Sequence, residues 1–176
     1  SICDQLYDFQ FERCSESCFS IIDFFQEAQK IQTPFKKMII IADPSQNLEK
    51  AYDEGLALTH FIEKLIPSIN LQFISYPLTA NQIEEMMNEA SIIHFCGHIH
   101  EKGLDLGTEY YRPSYSMNKV PDLIFLNGCA LSYEHYQGFI QRGIKNLVYS
   151  LRAKKDQFLN LNQLKYFYLG IFNGYR

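Results

Sequence analysis

The chain has 176 residues, of which 47% are hydrophobic and 15% aromatic, and its formal net charge is −4. A chain of this length and apolar content buries one sizeable core, so we expect a single globular domain. The slightly acidic balance, with both signs mixed along the chain, excludes a broad basic field of the kind that duplex nucleic acid or anionic lipid selects. We therefore expect no direct nucleic-acid binding.

The sequence holds no apolar run of about 18 residues and no basic segment followed by an apolar one at its start, so we expect neither a membrane span nor a secretory leader. Its 5 cysteines lack a regular spacing, which favours a reducing compartment over a disulfide framework. These features predict a soluble, cytoplasmic protein. The chain begins without Met and stops inside a helical pattern, so we expect a piece of a longer chain with an incomplete C-terminal end.

Residues 1–35 are aromatic and cysteine-rich, and the stretch "CFSIIDFFQEAQK" has apolar residues at intervals of three. This spacing predicts a helix. The recurring apolar positions are Phe19, Ile22, Phe25 and Ala28. We expect residues 1–35 to form a helical junction with an upstream region, and residues 36–176 to form the main domain.

The main domain alternates apolar runs with amphipathic segments. The runs that predict buried strands are "KKMIIIADP", "LQFISYP", "SIIHFCG", "PDLIFLNGC" and "NLVYSL". The segments that predict helices are "NLEKAYDEGLALTHFIEKLIPS", "TANQIEEMMNEA" with Thr79 as its cap, "YEHYQGFIQRG" and "FLNLNQLKYFYLGIF". Between His98 and Pro121 we expect a small hairpin. This order predicts an α/β fold with a mainly parallel sheet and helices on both faces.

Two of the predicted strands end in reactive residues. "SIIHFCGHIH" delivers His98 just past its apolar part, and "DLIFLNGC" delivers Cys129 after Gly128 at the end of the next strand. Chemistry gathers at the carboxyl ends of parallel strands, and neighbouring strands lie about 4.8 Å apart. If these two strands are neighbours, both side chains overhang the same edge of the sheet.

A Cys-His pair at such an edge is suited to acyl transfer. The thiolate is the nucleophile, and an imidazole beside it supplies the base. We expect the backbone N–H groups of Cys129 and Ile99 to form the oxyanion hole, because loops that leave parallel strands direct free donors outward. This chemistry needs no metal or other cofactor, and we predict none.

The same residues resemble a known family. "HFCGHIHEKG" resembles the His-x-x-Gly-His-Gly segment, and "LIFLNGCALS" the Leu-x-x-Cys segment, of the CHAT domain, a caspase-like cysteine peptidase domain related to separases, gingipains and caspases. "IIIADPSQNLEKAYDEGLALTHFIEKL", "FIQRGIKNLVYSL" and "LKYFYLGIFNGYR" resemble further CHAT segments in the same order. The resemblance covers residues 38–176 and implies a caspase-like three-layer sandwich.

Carried over residue by residue, the resemblance makes Cys129 the nucleophile and His98 the general base and acid. It implies that His94 and Gly97 are structural residues near the site and that Asp156 lines the substrate pocket. From their places in the chain we expect Gly128, at the strand end before Cys129, to be a further structural residue, and Arg152 beside Asp156 and Tyr111 in the loop between the two strands to contact substrate. The implied activity is cleavage of a protein or peptide substrate, a thiol protease of prokaryotic defence or signalling. A regulatory partner or an upstream helical-repeat region would switch it on.

Two departures from the family leave a second function open. Ile99 stands where the family has glycine after the histidine, and Arg152 stands where it has tryptophan after the fifth strand. A catalytically inactive caspase-like scaffold or interaction module is therefore the alternative. It predicts a Cys129 thiol that titrates near the ordinary value of about 8.5.

Other residues admit other interpretations. His94, His98 and His100 with Asp105 are a weaker candidate for a zinc site, and Cys14 with Cys18 are more typical of core packing. His135 competes with His98 as the base, although a solvent-facing place at a helix start is the simpler expectation, and His60 is expected at the surface. Tyr110 and Arg112 share the loop of Tyr111. A doubly wound domain of the flavodoxin kind is the alternative fold, but "IADPSQN" lacks a glycine-rich phosphate loop.

Overall fold

The computed structural model describes residues 9–13, 18–19, 35–113, 119–128, 133–150 and 161–173. Within these ranges the chain forms ten strands and four helices. In chain order they are β1 (Phe9–Arg13), β2 (Cys18–Phe19), β3 (Lys37–Ala42), α1 (Glu49–Leu65), β4 (Asn70–Ile74), α2 (Ala80–Glu89), β5 (Ile92–Cys96), β6 (Ile99–His100), β7 (Gly103–Asp105), β8 (Tyr110–Tyr111), β9 (Leu123–Asn127), α3 (Tyr133–Gln141), β10 (Asn146–Ser150) and α4 (Leu161–Asn173).

Seven of these strands form one sheet in the order β2-β1-β10-β9-β5-β3-β4. The five strands from β10 to β4 are parallel, whereas β1 and β2 extend the sheet in antiparallel fashion beside β10. The predicted α/β fold with a mainly parallel central sheet is confirmed. Counted across the sheet from β4 to β10, the five parallel strands are the second, first, third, fourth and fifth of these strands along the chain. The strand order therefore reverses between β3 and β5.

The N-terminal segment differs in part from the expectation. Cys18 and Phe19, the first two residues of the predicted helix, form strand β2, and β1 pairs with β10 within the main sheet. The rest of that predicted helix lies outside the described residues. A strand of two residues is too short for the spacing of apolar residues to distinguish it from a helix, so the sequence pattern could not predict β2.

Alternate residues of the central strands face two separate cores, as the period of two dictates. Met38 and Ile40 of β3 pack with residues of α1 and α4, whereas Ile39 and Ile41 pack with residues of α2 and α3. The molecule thus has three layers, with the sheet in the middle. Strands buried on both faces explain why the strand segments of the sequence are continuous apolar runs.

The segment between β5 and β9 crosses from one parallel strand to the next without a helix in its described part. Strands β6, β7 and β8 form a small antiparallel sheet there, in that order. The predicted small hairpin is confirmed. We call residues 98–111 the crossover hairpin; its first residue follows β5 by two positions, so the hairpin lies at the carboxyl edge of the main sheet.

The described helices fall short of the combination of length and apolar character that crossing a bilayer requires.

Candidate active site

Strands β5 and β9 are direct neighbours and end at the same level. Their parallel register pairs Cys96 with Asn127 at the last position of each strand. Gly97 follows on one strand and Gly128 on the other, and Gly97 N–H donates to Asn127 O over 3.3 Å. The strand adjacency expected for the two reactive segments is therefore present up to Gly128.

The two glycines are in close contact. A Cβ atom built on Gly128 would lie 2.5 Å from Gly97 O and 2.9 Å from the Ile99 side chain. Real Cβ contacts do not approach so closely, so Gly128 must lack a side chain for the strand ends to stay together. The two strand ends can approach each other closely because Gly128 has no side chain, and this does not depend on a positive φ angle.

His98 lies at the start of the crossover hairpin and is partly exposed. Its ring stacks on that of His100 with centroids 5.6 Å apart, and His100 in turn meets the exposed Tyr110 ring edge-on at 5.5 Å. The Nε2 atom of His100 is 3.7 Å from Asp105 Oδ2. These contacts form a rim of imidazole and phenol rings beside the end of β5.

The backbone of Ile99 is oriented as an outward donor. Asp105 N–H donates to His98 O over 3.0 Å, and Ile99 pairs with Leu104 at the next position of the β6–β7 ladder. In an antiparallel ladder the residue next to such a bonded pair directs its N–H away from the partner strand. The Ile99 N–H therefore points away from β7, while its side chain is 5% exposed and lies across Gly128.

A buried polar network lies directly beneath the two strand ends. Asn127 Nδ2 is 2.7 Å and 2.8 Å from the two carboxylate oxygens of Glu54, a residue of α1. His94 of β5 places Nε2 3.4 Å from Glu54 Oε1 and Nδ1 2.9 Å from the hydroxyl of Tyr168, a residue of α4. All four side chains are buried. Predicted as a structural residue, His94 is fully enclosed here.

The hydrogen bonds of this network lead to Glu54, directly from Asn127 and His94 and through His94 from Tyr168. Burial raises the pKa of Tyr168 well above its usual value, so its hydroxyl keeps its proton. With the Glu54 oxygens accepting from Asn127 and from His94, the His94 ring proton is on Nε2 and Nδ1 accepts from Tyr168. The resulting chain runs from Tyr168 through His94 to Glu54, and Asn127 donates to the same carboxylate.

Glu54, His94 and Cys96 are the one trio of ligand-type side chains in the described part of the chain whose ligand atoms all lie within 4.8 Å of each other. Each atom already has a hydrogen-bond partner, since the Cys96 thiol lies 3.3 Å from Ala51 O. Burial raises the pKa of Cys96 well above its usual value, which opposes the thiolate that a metal needs. The trio therefore fits a hydrogen-bonded core better than a metal centre.

The structure does not bring together all four residues of the weaker candidate, a zinc site of His94, His98, His100 and Asp105. His94 points through the α1 face of the sheet to Glu54 and Tyr168, whereas His98 and His100 belong to the crossover hairpin. His98, His100 and Asp105 stay together in the hairpin, and only His94 is separated from them.

The point where the strand order reverses is occupied by the chain itself. Asp43, just after β3, accepts hydrogen bonds from Asn47 N–H and Leu48 N–H with its two carboxylate oxygens. These are the groups at the start of α1 that a phosphate would use in a doubly wound nucleotide-binding domain. The Asp43 side chain already accepts hydrogen bonds from these two N–H groups, so the phosphate site expected for the flavodoxin-like alternative is filled by the chain.

Tyr111, predicted to contact substrate, faces the core. It is 2% exposed, and its hydroxyl donates to Glu84 Oε1 of α2 over 2.7 Å. Arg142, at the end of α3, forms an ion pair with the same carboxylate. Burial raises the pKa of Tyr111 far above its usual value, so the group stays a neutral donor. Tyr111 therefore anchors the crossover hairpin to α2, and Tyr110 is its exposed neighbour.

The two other histidines, His135 and His60, lie on helices. His135 is buried and His60 is exposed. His135, expected to face solvent, is only 4% exposed, because the start of α3 packs under the crossover hairpin. Burial and the nearby Arg112 charge lower its pKa. His60 is exposed on α1, as predicted.

Three predicted site residues lie outside the described residues: Cys129, Arg152 and Asp156. The same holds for Cys14. Their predicted roles stay predictions.

Sequence reasoning missed Glu54, Asn127 and Tyr168. Glu54 did carry a signal, because it falls at helical spacing between the buried Ala51 and Leu58, where an amphipathic helix has apolar residues. A carboxyl group in that stripe predicts a buried partner. Nothing in the sequence indicates which partner, since His94 and Asn127 are 40 and 73 residues away.

Comparison with models of protein families, with curated proteins and with solved structures finds no match to this chain.

Proposed function

We propose that the protein is a cysteine endopeptidase in which Cys129 and His98 form the catalytic dyad. The observation that carries the proposal is the common ending of β5 and β9, with Gly97 against Gly128. Consecutive Cα atoms are about 3.8 Å apart, so the chain holds Cys129 within one residue of this contact. His98 likewise follows Gly97 directly. Sequence order and strand register thus support a thiol and an imidazole at one edge.

In this mechanism the Cys129 sulfur attacks the carbonyl carbon of a peptide bond and His98 takes the thiol proton. The oxygen of the tetrahedral intermediate accepts hydrogen bonds from the N–H groups of Ile99 and Cys129. Collapse of the intermediate breaks the C–N bond, and His98 returns the proton to the departing amine. Water then attacks the thioester, aided by His98, and releases the acid product together with the free thiol. No metal or cofactor takes part.

The proposal extends to substrate and control. The exposed rings of His100 and Tyr110 beside His98 supply an aromatic rim for a protein or peptide substrate. The resemblance to CHAT domains supplies Arg152 and Asp156 as further substrate contacts, and control by a regulatory partner or an upstream helical-repeat region in the cytoplasm.

The pH dependence of cysteine alkylation by iodoacetamide tests the dyad without knowledge of the substrate. Peptide mapping follows Cys129 in the parent and in His98→Ala, and the buried Cys96 is the internal control, because its raised pKa keeps it protonated. We expect the alkylation midpoint of Cys129 below pH 8.5 in the parent and near the ordinary value of about 8.5 in His98→Ala. A Cys129 midpoint that is ordinary in both proteins refutes the dyad.

An inactive scaffold is the second candidate, and one observation favours it. The Ile99 side chain lies against Gly128, the residue before Cys129, and stands where CHAT domains have glycine. Replacing Ile99 with Gly then decides between the two. If the site is active, the alkylation midpoint of Cys129 lies below pH 8.5 in the parent and in Ile99→Gly, and the alkylation rate rises no more than a few-fold in the variant. If the protein is a scaffold, the midpoint stays near the ordinary value of about 8.5 in the parent and in the variant.

A further inference from the structure

Glu54 is the centre of the buried network beneath the strand ends, and its position there is unusual for a carboxyl group. It is 6% exposed, and the ion pairs of the described residues give it no lysine or arginine. A buried carboxylate without a cation is costly unless hydrogen bonds compensate. Here the Asn127 amide and His94 supply them.

The approach of α1 to the sheet is built for this contact. A Cβ on Gly55 would lie 2.4 Å from Ala42 Cβ and 3.4 Å from Cys96 Sγ, so the absence of a side chain lets the helix lie against β3 and β5. This close approach brings the neighbouring Glu54 between the last residues of β5 and β9. A helix held further away would leave the carboxylate short of Asn127.

Glu54 forms hydrogen bonds with both strands that precede the proposed dyad, with His94 of β5 and with Asn127 of β9. Asn127 precedes Cys129 by two residues, and His94 precedes His98 by four. The bonds to Glu54 therefore tie both strand ends to the same residue of α1. Since Gly97 and Gly128 are already in contact, a shift of either strand end changes the spacing of the residues that follow.

Resting on the proposed function, we infer that Glu54 is a positioning residue of the peptidase: through Asn127 and His94 it holds the ends of β9 and β5, from which the chain continues to Cys129 and His98. It does not touch substrate. The carboxylate is required because it is acceptor-only. A Gln side chain places an N–H₂ donor against either the Asn127 amide or the His94 Nε2–H, and two donors in contact force one strand end away.

The test measures the pH profile of Cys129 alkylation in Glu54→Gln, with Glu49→Gln as the matched control. Glu49 is exposed on the first turn of the same helix, so its substitution removes the same charge without touching the network. We expect Glu54→Gln to lower the alkylation rate at pH 7 at least tenfold and to raise the midpoint. Glu49→Gln is expected to stay within twofold of the parent.

The direction in which the Cys129 alkylation midpoint shifts in Glu54→Gln distinguishes a positioning role of Glu54 from a direct effect of its charge. Removing a negative charge favours the thiolate and by itself lowers the midpoint of a nearby thiol. A raised midpoint therefore reports lost alignment with His98. A Glu54→Gln profile that superimposes on that of the parent, or that moves to lower pH, overturns the inference.

Two further measurements keep the outcome decisive. Should Glu54→Gln fail to fold, Tyr168→Phe removes only the hydroxyl that donates to His94. A drop of about threefold in Cys129 alkylation then supports the inference, and an unchanged rate overturns it. The parent and His98→Ala profiles distinguish the two hypotheses: an ordinary Cys129 in the parent refutes the peptidase, whereas an activated Cys129 that ignores Glu54→Gln refutes only the positioning role.

Discussion

Gly128 has no room for a side chain, because its missing Cβ would fall 2.5 Å from Gly97 O. This single contact sets how closely the ends of β5 and β9 approach. One added methyl group is enough to disturb it.

Substituting Gly128→Ala forces the two strand ends apart. We expect a loss of about 1–3 kcal/mol in the free energy of unfolding, as for other overpacked sites, and at least a tenfold lower alkylation rate of Cys129. Gly138→Ala is the control, because a Cβ there meets nothing closer than 3.5 Å. Equal stability of the two variants in urea denaturation would contradict this account.

His135 predicts a pH dependence of stability. Its pKa in the folded chain is lowered by burial, so below its unfolded value of about 6.5 the unfolded chain binds a proton that the folded chain does not. The free energy of unfolding should therefore fall as the pH is lowered from 6.5, and level off below the lowered pKa. In His135→Gln this part of the dependence should vanish. Denaturation curves between pH 5 and 8 give the comparison, and parallel curves would be the contrary result.

At the scale of an element, α2 begins with a complete capping box. Thr79 accepts from Gln82 N–H, and the Gln82 side chain accepts from Thr79 N–H. Two of the backbone donors at the helix start, the N–H groups of Thr79 and Gln82, are thereby satisfied. The sequence predicted Thr79 as the cap, and the structure adds its partner.

Replacing Thr79 with Ala should cost about 1 kcal/mol, or about 2–4 °C in the midpoint of thermal unfolding for a chain of this size. Thr79→Ser keeps the hydroxyl and should stay close to the parent. A Thr79→Ala midpoint equal to that of Thr79→Ser would show that the cap is not made.

Considering the whole molecule, β1 covers the edge of β10, which otherwise ends the parallel sheet on that side. An uncovered edge presents a row of unpaired backbone groups to other chains. Strands β1 and β2 thus complete the main sheet, although their residues lie in the segment predicted as a junction.

Removing residues 1–19 should therefore promote self-association. We expect the truncated chain to grow in apparent mass with concentration in static light scattering, whereas the full chain keeps a constant mass. A proline in place of Phe11 in the full chain, where β1 pairs with Val148, should act in the same direction but more weakly. A truncated chain of constant mass would argue that β10 tolerates an open edge.

The alternation of strands and helices in three layers is readable from the residue pattern, because strands buried on both faces are continuous apolar runs and amphipathic helices repeat their apolar residues every three or four positions. The same pattern also determined where His98 comes, two residues past β5. The five parallel strands and four helices followed the predicted segments closely. These are local properties, so periodicity and turn residues carry them.

Which distant groups meet cannot be read from the residue pattern and follows from the packed fold. Glu54, His94, Asn127 and Tyr168 come from α1, β5, β9 and α4, and no local pattern links them. The packed fold likewise turned Tyr111 inward and buried His135. The reason is physical: periodicity says which face of an element is buried, whereas the partner it is buried against depends on strand order and on how closely the helices approach the sheet.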